Sequence, residues 1–220
     1  MRRPTARRRP APRDRALAPG PVTLHGVVTP ARPGTEDRPD RPAQIIAAVL
    51  ALLARDGIAG VSMRAVAREA GVALGLVHYY FDDKTSLISA TLRHVESHDL
   101  DIVQPDQTLP PDRRLVAALR RVADPEFLTT AYLSLRLQLW ALAQVNVEYA
   151  EINASAQSRY RAGLAALIRD ARPELSTREC ARRAADIDVL QNGLWLTALL
   201  GLDQTAIRRS VDRTLEIATA

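Results

Sequence analysis

The chain has 220 residues, 47% of them hydrophobic but only nine aromatic, and carries 30 basic against 25 acidic side chains. This length holds a small head with a larger second unit, or one continuous helical body, and the lone Cys180 excludes an intrachain disulfide framework, which points to a reducing, cytoplasmic setting. The two most apolar stretches, 45–54 and 193–202, fall short of the ~18 apolar residues that a membrane helix needs, so no membrane partner is expected.

Residues 1–41 hold eight prolines and ten arginines against four acids, a net of +6, whereas the remainder is close to neutral. With little apolar periodicity, this segment cannot bury enough surface to fold, and a disordered Arg/Pro-rich tail is expected. Its arginine clusters precede no uninterrupted apolar run, so it is not read as a secretory signal. Everything beyond it reads as helix, with neither a strand pattern nor an internal repeat. Ile45, Val49, Leu52 and Leu53 predict a first helix over 42–56, with Gly57 as terminator.

From Ser62 to Lys84 the chain runs SMRAVAREAGVALGLVHYYFDDK. Gly71 supplies a turn residue that tolerates positive φ between two short helices. Ala67 is small enough for a close crossing, and Val66, Ala70, Val72 and Val77 form the apolar seam. Ser62 is placed to cap the first helix, although Ala65 stands where a capping-box Glu or Gln would complete the motif. Any αα-hairpin in a helical core shares this spacing. The second helix tips the balance, because His78, Tyr79, Tyr80 and Phe81 place polar tips where a purely core-filling helix would not. Lys84 is the single lysine beside 29 arginines, as suits a compact charge on a phosphate, or it landed there by chance.

The pattern Gly71, Val72, Gly75, Val77, Tyr79, Tyr80, Phe81, Lys84 resembles the TetR family of transcriptional regulators, and the Val-His-Tyr-Tyr-Phe run is similar to its choline-responsive branch. The resemblance implies an all-α fold: a three-helix head containing the helix-turn-helix (42–88), then a helical ligand-binding and dimerisation domain (89–220). It also implies that Ser62 and Lys84 contact phosphates, that Arg64, Leu74 and Gly75 lie at the major groove, and that His78, Tyr79 and Tyr80 divide between base edges and backbone. Ala73, Leu74 and Leu76 depart from the family's more polar residues, so direct hydrogen-bond readout is expected to be sparse and operator shape to matter. The tail then serves either as a basic arm with nonspecific DNA affinity or as a solvated extension without a task.

A fourth helix is predicted over 84–101, and Pro105, Pro110 and Pro111 mark a loop. Further helices are expected over 113–122, 125–145, 147–171, 177–200 and 203–218. On the last two, Ile187, Leu190, Leu194 and Leu199 with Ile207, Val211, Leu215 and Ile217 form the expected homodimer surface, unless they pack on their own protomer. Tyr132, Trp140, Gln144, Tyr160, Asn192 and Trp195 are candidates for an effector pocket, a pattern that an ordinary core shares. By analogy with the choline-responsive branch, an aromatic cage for a quaternary amine is an option. The expected partners are double-stranded operator DNA and a small-molecule effector that releases repression by tilting the fourth helix, and no cofactor is expected.

Two alternatives belong to other classes. His94 and His98, one helical turn apart with Glu96, Asp99 and Asp101 nearby, are candidates for a metal pair in an enzyme, but the His-Glu-x-x-His order is absent. The Arg-rich tail by itself would make a nonspecific nucleic-acid binder.

Overall fold

The computed structural model describes residues 40–201 and 203–220. The expected tail therefore lies, up to Pro39, outside the described residues. Asp40 caps the first helix and Arg41 begins it, so the fold starts before the expected boundary at 42.

The described residues form nine α-helices and no strand. They are α1 (Arg41–Gly60), α2 (Met63–Glu69), α3 (Leu74–Tyr80), α4 (Lys84–Leu100), α5 (Pro111–Arg121), α6 (Thr130–Leu142), α7 (Val147–Ala171), α8 (Thr177–Leu199) and α9 (Gln204–Thr219). The ends follow from local chemistry. Gly57, at φ 65°, breaks α1 where the periodicity ends, and the carbonyl of Leu53, one turn earlier, accepts from the Gln138 side chain of α6 at 3.2 Å. Ser62, Asp83, Thr129, Asn146, Ser176 and Asp203 each accept a backbone N–H of the helix that follows. The helix expected over 125–145 is not continuous. Pro125–Phe127 form a 3-10 turn, Thr129 takes extended backbone to cap α6, and α6 stops at Leu142.

α1 is long and apolar enough, by length and composition, to cross a membrane, with a mean hydropathy of 1.5 over its best window, which the short run at 45–54 did not suggest. Its apolar side is nonetheless core: Ile45, Val49, Leu52 and Leu53 are buried in the head. The run 45–54 spans about 15 Å at 1.5 Å per residue, half of a ~30 Å hydrocarbon layer.

Two cores meet along α4. Leu87, Ile88, Leu92 and Val95 join α1–α3, together with Leu135 and Leu139 of α6 and Tyr149 and Ile152 of α7. Leu100 joins the second core, which gathers α5 to α9 around Phe127, Leu164, Ile168, Ile187 and Trp195. The head is thus welded to the body through α1–α6 and α4–α7 packing, and its core extends past the expected boundary at 88.

Candidate nucleic-acid interface and ligand cavity

Gly71 sits at φ 65° between α2 and α3, a conformation that costs an L side chain about 1–2 kcal/mol, and nothing lies within 4 Å of where its Cβ would be. Glycine is needed there for the backbone, not for space. Val66 and Val77 are fully buried across the turn with Ala67 and Ala70, as the sequence pattern requires.

With Val77 turned inward, α3 presents its other side to solvent. Gly75, His78, Tyr79 and Tyr80 are exposed, Tyr79 by 78%, and the two tyrosine rings meet edge to face at 5.0 Å. Leu74 is half-buried and packs partly on the head core, so only part of it faces outward. Ala73 caps α3 without a side-chain bond, which leaves its first backbone N–H groups available to an acceptor. Ser62 and Arg64 are exposed beside this helix, and the Ser62 hydroxyl accepts from the Ala65 N–H at 3.2 Å. Lys84 is exposed, but its ammonium donates to the Ile58 carbonyl at 3.1 Å, tying the end of α1 to the start of α4. Two of its three N–H donors remain for a phosphate. Residues 40–88 contain five basic and five acidic side chains, so the head itself is electrically neutral.

The second site lies inside the body. Leu92, Val95, Glu96, Asp99 and Leu100 of α4 form one wall of a cavity of about 50 Å³, facing Arg136, Leu139 and Trp140 of α6, Tyr160 of α7, and Asp188, Asn192 and Trp195 of α8. Of the six pocket candidates, Trp140, Tyr160, Asn192 and Trp195 line it. Tyr132 stands behind the wall, its hydroxyl donating to Asp99. Gln144 does not line it: α6 ends at Leu142, and Gln144 is exposed in the following turn.

At the centre is Arg136, which the sequence pattern did not single out. Its guanidinium pairs with Asp99 and lies 4.2 Å from the Trp195 ring centre, 5.1 Å from that of Trp140 and 5.9 Å from that of Tyr132. This is an aromatic box already holding a cation. A lone charge inside the apolar run of α6 was the available signal. Burial lowers the Arg136 pKa to about 10, which leaves it cationic at neutral pH. Burial also pushes the Tyr132 and Tyr160 phenols and the Asp188 carboxyl up, and takes Glu96 from 4.5 to about 7. The Tyr160 hydroxyl donates to Gln191 at 2.8 Å, and the Trp195 indole donates to the Val122 carbonyl at 2.9 Å, fixing both rings.

His98 stacks on Phe127 at 5.0 Å, and among the described residues no group of three or more His, Cys, Asp or Glu side chains is arranged to hold a metal ion. Burial lowers the pKa of both His94 and His98. Cys180 is buried in the core between α8 and its neighbours.

Residues 45–91 match the family model for bacterial regulatory proteins of the tetR family, and residues 111–219 that for the C-terminal part of BetI-type transcriptional repressors. The HTH-type transcriptional regulator BetI of Cronobacter sakazakii is 31% identical over 168 residues, covering 74% of this chain and 81% of its own. The chain belongs to the TetR family of transcriptional regulators. Among solved structures, a transcriptional regulator of Pseudomonas aeruginosa PAO1 superposes with a TM-score of 0.70 at 25% identity, over 80% of this chain and 88% of its own. One from Saccharomonospora viridis, in complex with choline, shares the fold with a TM-score of 0.63 at 20% identity, over 80% of this chain and 93% of its own. In this TetR-family chain the resemblance read from the head thus extends through the body.

Proposed function

We propose that this regulator is a cytoplasmic homodimeric repressor, acting by binding and not by catalysis, that reads operator DNA with α3 and lets go when a small molecule enters the cavity beneath α4. The observation that carries the reading is the double duty of α4. Its first turn is held to the head through Lys84, and Val95, Glu96, Asp99 and Leu100 line the cavity. A ligand that prefers another tilt of this helix therefore shifts the head, by no more than its differential affinity for the two states.

Dimerisation is supported by an apolar face of α8 different from the one expected. Ile187, Leu194, Ile207 and Val211 are buried within the protomer, and Leu190, Leu199, Leu215 and Ile217 are half-buried. Val189 (71% exposed) and Leu196 on α8, and Leu200 (78%) just past its end, are left outside, with Gly193 on the same stripe offering close approach. Two heads so joined read half-sites about one DNA turn, ~34 Å, apart.

The test is selection of bound genomic fragments by the purified chain and by a His78→Ala, Tyr79→Ala, Lys84→Ala variant. The variant is expected to lose fragment preference while keeping its helical circular dichroism. Unchanged fragment choice in a folded variant refutes the reading.

A further inference from the structure

We propose that the cavity beneath α4 takes a small protonated amine whose N–H groups donate to Glu96, and that Arg136, by filling the aromatic box itself, turns quaternary ammonium ions away. This rests on reading the cavity as the effector site.

Glu96 is 8% exposed and lies in the cavity wall, and among the described residues no protein group donates to either of its oxygens. A buried acceptor without a donor is costly, more so when charged. The other wall carboxylates have partners: Asp99 has Tyr132 and Arg136, and Asp188 has Asn192 at 3.0 Å and Arg161 at 4.0 Å. Carboxylates also outnumber cations in the wall, with Glu96, Asp99 and Asp188 facing Arg136 alone. The complement of this wall is a positive charge that brings its own N–H donors.

A quaternary ammonium supplies the charge but not the donors. It has no N–H for Glu96, and the aromatic faces it would use are covered by the Arg136 guanidinium. Expelling Arg136 would strip Asp99 of its ion pair. The volume of about 50 Å³ is a third of the ~150 Å³ void that accepts benzene, so an amine of four or five heavy atoms must widen the cavity as it enters, which displaces the α4 wall.

Two matched pairs of probes test this by calorimetric titration of the full chain. tert-Butylammonium and tetramethylammonium share size, shape and charge and differ only in N–H donors, and ethanolamine and choline form the second pair. The N–H member of each pair is expected to bind at least tenfold tighter, and Glu96→Gln to lose most of that preference. Should Glu96→Gln fail to fold, the wild-type pairs decide alone. The proposal is overturned if tetramethylammonium or choline binds as tightly as its counterpart, if none of the four binds, or if folded Glu96→Gln keeps the tenfold preference. Anisotropy of a bound operator fragment in the same samples separates the two levels. Amines that bind without loosening DNA support the amine site and remove its effector role, whereas choline winning and releasing DNA keeps the effector role and removes the N–H assignment.

Discussion

Replacing Glu96 by Gln should make the protein more stable, and by an amount that depends on pH. Burial holds the folded carboxyl at about 7 against 4.5, although Arg159 on α7, Arg136 on α6 and Arg93 on α4 pull it the other way. Between those two values the folded state keeps a proton that the unfolded chain releases. Stability therefore falls as pH rises from 4.5 to 7 and levels off above, a loss of about 3 kcal/mol at 1.36 kcal/mol per unit. Glutamine keeps the shape of the protonated acid and cannot ionise. The variant should thus exceed the wild type by about 3 kcal/mol at pH 8 and by less than about 1 kcal/mol at pH 5. Urea unfolding followed by circular dichroism, at one fixed protein concentration because a dimer's stability depends on it, reads this as a midpoint shift of ~1 M or more at pH 8. An equal gain at both pH values, or none, would show that Glu96 does not ionise against burial in the folded state.

Three further outcomes are expected. Gly71→Ala should cost about 1–2 kcal/mol, because φ 65° disfavours a Cβ that would meet no neighbour, and a neutral result in thermal unfolding would contradict that backbone account. Deleting residues 1–39 should leave fragment choice intact but flatten the salt dependence of DNA binding, by ~0.9 log units per decade for each phosphate that the tail neutralises; an unchanged slope would deny the tail any electrostatic part beside a neutral head. Val189→Glu with Leu200→Glu should shift the protein to monomers in sedimentation velocity, and a persistent dimer would place the interface elsewhere.

The head was legible because its constraints are short-range. A glycine between two helices, a serine cap, and Val66, Ala70 and Val77 at helical spacing act within about fifteen residues of one another, so their order in the chain already states their geometry. Helix starts were likewise near the residues that cap them, and the seventh helix runs over the expected 147–171.

What no local pattern contained was which of several faces turns inward. α8 is apolar on more than one stripe, and only packing against α7 and α9 decides that Ile187 and Leu194 are inside while Val189, Leu196 and Leu200 are outside. Likewise, α6 had to end at Leu142 to leave Gln144 in solvent, and three helices had to converge before Arg136 could lie between Asp99, Trp140 and Trp195. Periodicity shows that a side of a helix can be buried. Its neighbours, brought from 37 and 59 positions away along the chain, determine what it is buried against.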